Sequence, residues 1–310
     1  MAVLALRRLA SMILIMFVIS VLLFLFFEYD KLNLAARVLG PYSPMEGRLQ
    51  WLEDNGYNRA FYVRYFSWLY GFFTGDWKDS AQFSAPVYDF LLPRLQNTAI
   101  LGGCVFVMTV AISLVLGVLS GIAEAGLRDR GITVISVLTT SVPEFASATF
   151  LVAIFVYWLD WLPGSSSFSD GFSWVELILP VTTLVIYNFG YYTRMTRASM
   201  AEVMSSQYVR TAILKGLPYH RVVMRHALRN ALIAPFTVMI LQLNYLLSGV
   251  VVVEVFFAYD GYGKAIYDAA MFGDVYLILA GAMIAVVVAV VSQFISDIGY
   301  TYLNPRIRFA

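Results

Sequence analysis

Six runs of apolar residues, each long enough to cross a bilayer, set the terms for this 310-residue chain. A hydrocarbon core of roughly 30 Å needs about 20 apolar residues in a helix. The runs are Leu9–Phe27, Asn97–Ala123, Ile132–Leu159 (interrupted by Pro143 and Glu144), Trp174–Tyr192, Ala231–Val253 and Val275–Ile298. One such run alone could be a buried core helix. Six of them, with charge confined mostly to the gaps, read as an all-α, polytopic membrane protein. Composition agrees: 60% of residues are hydrophobic and 13% charged, against roughly 45–50% and about 25% in a soluble domain. Length alone would suit two soluble domains; the runs replace that estimate with one membrane domain over 1–310. Lys plus Arg is 21 and Asp plus Glu 20, so there is no basic footprint for nucleic acid.

The first run follows Arg7 and Arg8, as a signal peptide would. It is 19 residues long, against about 7–15 for a signal peptide's apolar region, and Glu28-Tyr29-Asp30 follows in place of a small-residue cleavage pattern. It therefore reads as an uncleaved span. With the N-terminus inside, the cytoplasmic segments are 1–8, 124–131, 193–230 and 299–310. They hold 13 basic residues, seven of them in 193–230, whereas the short outer loops 160–173 and 254–274 hold only Lys264. The positive-inside rule then puts both termini in the cytoplasm.

Two connections are more than linkers. Segment 28–96 is too long for a structureless loop. The aromatic and apolar residues Tyr62, Tyr65, Phe66, Trp68, Leu69, Phe72 and Phe73 recur at helical spacing, so we expect a helix or two on the membrane surface or packed on the bundle, with a turn at Gly75-Asp76. A plain structural cap is the simpler alternative. In the basic loop 193–230, Met200–Leu214 reads as one helix, stopped by Gly216-Leu217-Pro218, with a second helix from Tyr219 to about Leu232. Such a pair lies along the cytoplasmic face, where it can touch a soluble partner. Anchoring to anionic lipid explains its charge, but not a helix of this length ending in glycine.

The usual catalytic patterns are missing. The only Gly-Lys pair, Gly263-Lys264, is followed by Ala265 and has Ala258 where a phosphate-binding loop needs its first glycine. There is no Gly-x-Ser-x-Gly and no His-Glu-x-x-His. His220 and His226 fall on different faces of one helix, and Cys104 is alone inside a span. The functional signal that remains is polar residues within spans: Ser141 and Glu144 around Pro143, Asn188, Gln242 and Asn244. The hydroxyls of Thr139-Thr140-Ser141 can satisfy backbone freed by Pro143. An acid at depth faces a cavity or a partner, unless Glu144 sits nearer the surface. Interhelical hydrogen bonding is the simpler account of the amides. These five are the candidate translocation path.

The loop Tyr208-Val209-Arg210-Thr211-Ala212-Ile213-Leu214-Lys215-Gly216-Leu217, followed by His226-Ala227-Leu228-Arg229-Asn230-Ala231-Leu232, resembles the EAA loop of ABC importer permeases in its peptide-transporter form. Arg210-Thr211-Ala212 and Gly216 occupy the places of its Glu-Ala-Ala and glycine. Tyr192–Ser199, Glu202-Val203, Val253–Phe257 with Gly261-Tyr262-Gly263, and Asn304–Arg308 also match, and Tyr65–Leu69 with Gly75-Asp76 match weakly. The chain is similar to dipeptide, oligopeptide and nickel permeases of the type with a long segment after the first span. It departs from them at Phe27–Lys31, which replaces a Pro-Gly-Asp pattern, at Asp260 (usually Pro), at Gln293 (usually Asn) and at Asn304 (usually Asp).

The resemblance implies a type I ABC importer permease fold in a bacterial or archaeal plasma membrane. It implies a second homologous permease subunit, two ABC ATPase subunits that bind ATP and Mg, and an extracytoplasmic solute-binding protein, with no cofactor held by this chain. The residues it assigns to ATPase coupling are Glu202, Tyr208, Arg210, Thr211, Ala212, Lys215, Gly216 and Leu217. Cargo would be a peptide or similar small solute; an oligosaccharide, an opine-like compound or a metal chelate are alternatives. A self-sufficient secondary transporter or channel is the rival class and would need a buried ion site, for which Glu144 is the one deep acid on offer. A membrane enzyme lacks a nucleophile, base or metal constellation.

Overall fold

The computed structural model describes residues 2–29, 31–40, 42–168, 171–248 and 250–303. Among these the chain is helical, with one isolated bridge between Asp79 and Pro86. In chain order the helices are α1 (Ala2–Glu28), α2 (Lys31–Leu39), α3 (Met45–Asp54), α4 (Phe61–Thr74), α5 (Val87–Gly121), α6 (Leu127–Ser141), α7 (Glu144–Val152), α8 (Ile178–Met204), α9 (Gln207–Leu214), α10 (Tyr219–Arg221), α11 (Leu228–Ala231), α12 (Ile233–Ser248), α13 (Val251–Phe256), α14 (Tyr262–Phe272) and α15 (Val275–Leu303). Wider π turns continue α7 over Ala153–Trp158 and join α10 to α11 over Val222–Ala227. Two compact units emerge, Met1–Thr98 with Asp260–Val291, and Ala99–Tyr259 with Ser292–Ala310.

Among the described residues, three helices are long and apolar enough to cross a membrane, over Leu9–Phe26, Val87–Gly121 and Val275–Ser296. A fourth crossing exists if α6 and the α7–π segment, bent by 99°, form one broken span. The third apolar run is thus two helices and not one. Val142 adopts an extended conformation ahead of Pro143, as a residue before proline must. The other two runs are also modified. α12 has 16 residues before the chain breaks and resumes as α13, and α8 carries Asn188, Thr193, Arg194, Thr196 and Arg197 among its 27 residues.

In the first unit, α4 packs against α1. Tyr65 is buried, its hydroxyl shares a 2.7 Å hydrogen bond with Ser20, and its ring meets Phe17 and Phe24 edge-on. These contacts put α4 against α1 between Phe17 and Phe24. Gly75, at φ +83°, ends α4 and makes the expected turn. α5 begins at Val87, so the last ten residues of 28–96 already belong to the helix that holds the second apolar run. The loop 254–274 contains α14, whose ends are marked by Gly261 and by Gly273 at φ +76°. Asp260 pairs with Arg94 at 2.8 Å, and its carbonyl accepts from Asn97. The acid standing where proline is usual is therefore anchored to α5.

In the second unit, α8 is the centre, with α6, α7, α11, α12 and α13 packed around it. Small residues let backbones close up there. A Cβ on Gly117 would lie 2.4 Å from Thr196 Cβ, one on Gly121 would lie 2.6 Å from Met200 Cβ, and one on Gly190 would lie 2.3 Å from the Ser136 carbonyl oxygen. A backbone oxygen cannot swing aside, so Gly190→Ala must push α6 and α8 apart. We expect it to cost about 1–3 kcal/mol and to lower the melting temperature of the purified protein, while Gly103→Ala, inside α5 where the added Cβ meets nothing, does not lower it, alanine being the better helix former.

Candidate functional site

The basic loop is built from two serines and one glycine. Ser205 Oγ donates to the Glu202 carbonyl at 2.7 Å and Ser206 Oγ to the Val203 carbonyl at 2.6 Å. Hydroxyls that satisfy the last carbonyls let the chain leave the helix, and Ser206 is extended. The single helix expected over Met200–Leu214 is therefore two, with the joint at Ser205-Ser206. α9 then ends in the predicted way: Gly216 takes φ +75°, its N–H bonds the Ile213 carbonyl, and Pro218 follows. The second expected helix is present as α10, the π turns and α11.

α9 has two faces. Val209 and Ala212 are buried with Met200, Val222, Val223, Ala227 and Ala231, and Leu217 packs against the same cluster. Ser199 Oγ donates to the Ala231 carbonyl at 2.7 Å and ties α8 to α11. Glu202, Tyr208, Arg210, Thr211, Lys215 and Gly216 are exposed. Of the eight residues assigned to coupling, six thus share the surface, while Ala212 and Leu217 hold α9 in place from beneath. Tyr208 is fixed by a 3.0 Å hydrogen bond from Asn230 Nδ2. Reading the sequence overlooked three apolar members of the surface: Ile213 (48% exposed), Leu214 (80%) and Met224 (64%). Leu214 had a signal, since with Val209 and Ala212 inward it falls on the opposite side of the helix; Ile213, one turn after Val209, had none.

Beside this surface lies an ion pair that the sequence reading did not register. Arg197 on α8 donates from Nε and Nη2 to Asp129 of α6 at 2.9 and 2.7 Å. Asp129 also accepts from Ser120 Oγ at 2.6 Å and from the Ala125 N–H at 2.8 Å. It sits in the first turn of α6, where the helix dipole favours a negative charge. Arg197 was counted as a positive-inside residue; its charge is spent on this fork. Hydrogen bonds from Arg197 first, then from Ser120 and Ala125, hold the Asp129 carboxyl well below the usual carboxylate range, and the same pair raises Arg197.

The candidate path residues stand in different local settings. Ser141 Oγ back-bonds to the Val137 carbonyl at 2.8 Å, and Thr139 and Thr140 likewise bond carbonyls of Ile135–Val137, one turn before the groups that Pro143 frees. Glu144 is half-buried and opens α7, so it stands at a helix N-terminus and not in mid-helix. Asn188 is 8% exposed, donates to the Leu184 carbonyl at 2.7 Å and lines a cleft of about 240 Å³ with Thr140, Tyr187, Tyr191 and Arg194. Gln242 is buried, and neither atom of its amide has a partner among the described residues. The Asn244 side chain lies outside the described residues.

Comparison with known proteins places these features in a family. Residues 113–309 match the model of the binding-protein-dependent transport system inner membrane component. The oligopeptide transport system permease protein AppB of Bacillus subtilis is 32% identical over 316 residues, covering 100% of both chains. The glutathione transport system permease protein GsiC of Shigella flexneri is 31% identical over 303 residues, covering 98% of each. A crystal structure described as an amino acid ABC transporter with histidines is similar at TM-score 0.48 and 12% identity, over 70% of this chain and 93% of that one. The chain belongs to the permease family of ABC importers. It is a non-enzymatic membrane component, and the ATPase resides on partner subunits.

The Asp129–Arg197 fork gives a pH prediction. A depressed carboxyl contributes fully above its ordinary pKa of about 3.9 and loses its contribution only as pH falls through the lower folded value. Between pH 5 and 8 the melting temperature should not move through this pair. Asp129→Asn should cost about 2 kcal/mol or more, since it removes the forked partner of Arg197 and leaves it only the exposed Glu124 at 3.9 Å, and the loss should be equal at pH 5 and pH 8.

Proposed function

We propose that this chain is one of two permease subunits in a bacterial peptide importer, crossing the inner membrane six times with both termini in the cytoplasm. Segment 28–96 is then extracytoplasmic and 193–230 cytoplasmic. The 13 basic residues of the short inner segments support that orientation. The whole chain acts as a single permease domain. A solute-binding protein delivers cargo outside, and two ATPase subunits bind ATP and Mg inside. Peptide as the cargo rests on the relatives, whose names give oligopeptide and glutathione.

The observation that carries the coupling reading is the two-faced α9. Its inner face is seated on α8 and the π turns, so a push on Arg210, Thr211, Leu214 or Lys215 is delivered to α8 as a rigid-body displacement. Closure of an ATPase pair around nucleotide would supply that push, an example of switching between packed arrangements. Glu202, Tyr208 and Gly216 complete the contact surface, while Ala212 and Leu217 keep α9 in register. The path on this reading runs past Ser141, Glu144, Asn188, Gln242 and Asn244.

Gly216→Pro forces φ to about −65° where +75° is required, and Arg210→Glu reverses charge on the docking face. Both should abolish peptide uptake by the reconstituted complex while membrane insertion survives. Leu214→Asp, at a residue that touches no core, should lower uptake at least tenfold without changing the melting temperature. Normal uptake in all three removes the coupling role.

A further inference from the structure

α4 has three faces. Phe61, Tyr65 and Trp68 turn to α1, where their rings meet Phe24 at 5.5, 5.6 and 5.4 Å. Arg64, Ser67, Gly71 and Thr74 form a second face. Polar connections cover it: Arg64 lies over the Tyr57 ring at 5.4 Å, and the Gly71 carbonyl accepts from the Asp76 N–H at 2.9 Å. Tyr62, Phe66, Tyr70 and Phe73, spaced four, four and three residues apart, form the third face. Each of these four is more than half exposed. Arg64 is the one charge in the helix, so the third face is an uncharged aromatic stripe.

The contacts with α1 set the level of this stripe. Three residues spread over two turns of α4 meet one residue of α1, so α4 crosses α1 at the level of Phe24, with the Tyr65 hydroxyl reaching in to Ser20. Phe24 is two residues short of the end of the apolar stretch Leu9–Phe26, and Glu28 follows. At 1.5 Å per residue the crossing is about 3 Å inside that end. Arg7 and Arg8 mark the opposite, inner end. Leu22 and Leu25, at the same level of α1, are exposed. At this depth the medium that meets an uncovered apolar side chain is lipid.

We propose that α4 lies in the outer boundary of the bilayer, with Tyr62, Phe66, Tyr70 and Phe73 set among the lipid glycerol groups and first methylenes. Phe66 and Phe73 suit hydrocarbon, while the hydroxyls of Tyr62 and Tyr70 reach back to the headgroups, the property that enriches tyrosine at membrane interfaces. Helices of this kind lie in the interface plane with the apolar face roughly 5–10 Å deep. The three faces of α4 then meet three media: the span, the polar connections of the outer segment, and lipid. A soluble protein arriving from outside encounters the connections, and the stripe lies on a different face from them. Segment 28–96 is thereby held to the membrane at a second point besides the end of α1. This placement rests on α1 crossing the bilayer with its Phe24 end outside, and it is independent of the coupling surface.

Depth-dependent quenching tests it. Cys104 is the chain's one cysteine, so Cys104→Ser gives a background for single labels. Phe66→Cys, Phe73→Cys, Ser67→Cys and Val18→Cys, each in the full-length chain in phosphatidylcholine liposomes, carry a small fluorophore. It is quenched by iodide from the water, or by phosphatidylcholine brominated near the head or near the end of its acyl chains. Labels at positions 66 and 73 should lose fluorescence to the head-end bromines and be spared by iodide. The label at position 67, on the polar face, should show the reverse. Val18 is exposed near the middle of the α1 stretch, and its label should lose most to the tail-end bromines. Iodide quenching at 66 and 73, with the label at 18 still in hydrocarbon, overturns the placement of α4 and leaves the span standing. A label at 18 reached by iodide removes the span, and this placement with it. Stripe labels that lose bromine quenching when the assembled importer replaces the lone chain make the stripe a subunit contact and overturn the proposal as well.

Discussion

Hydrocarbon offers no partner for a bare amide, and this constraint decides most of the chain's architecture. Every backbone group at membrane depth must be satisfied within the protein, so the apolar runs become helices wherever they are uninterrupted. Where the third run is interrupted, the nearby hydroxyls stay on the helix that precedes the break. Thr139, Thr140 and Ser141 turn their hydroxyls back onto the preceding turn before the chain extends at Val142. The π stretch over Ala153–Trp158 keeps that segment helical in another form, since a wider turn shifts the face the helix presents.

How far the sequence reveals this depends on whether the deciding partner is near or far along the chain. α1 was legible because nothing charged falls between Leu9 and Phe27. The end of α9 was legible because Gly216 and Pro218 act on their own neighbours. The joint at Ser205-Ser206 was not, because serine is nearly neutral in helices and only its actual hydrogen bonds show which way it went. α14 was missed although Gly261 and Gly273 bracket it, since the run between them is too short to stand out from a loop. The Asp129–Arg197 fork was hidden most thoroughly: its partners are 68 residues apart, and Arg197 already had an account as an ordinary loop charge.

The candidate coupling surface repeats this division. The motif residues Arg210, Thr211, Lys215 and Gly216 could be named from spacing and resemblance. That Ala212 lies beneath them and Leu214 stands out beside them follows only once α9 is seated on Val222 and Val223. Conversely, Asn188 and Gln242 stand out as polar residues in apolar surroundings, and they are in different situations: one is bonded to its own helix and lines a cleft, the other is enclosed with an amide that has no partner among the described residues.

The three glycine contacts around α8 have a mechanical consequence. At Gly117, Gly121 and Gly190 neighbouring helices approach to backbone distance, and such contacts cannot slide by the ångström that longer side chains would absorb by changing rotamer. α8 is therefore keyed to α5 on one side and α6 on the other, much as a splined shaft is keyed to its gears. A tilt imposed at its cytoplasmic end has no slack in which to dissipate, so α5 and α6 turn with it or the joint does not turn.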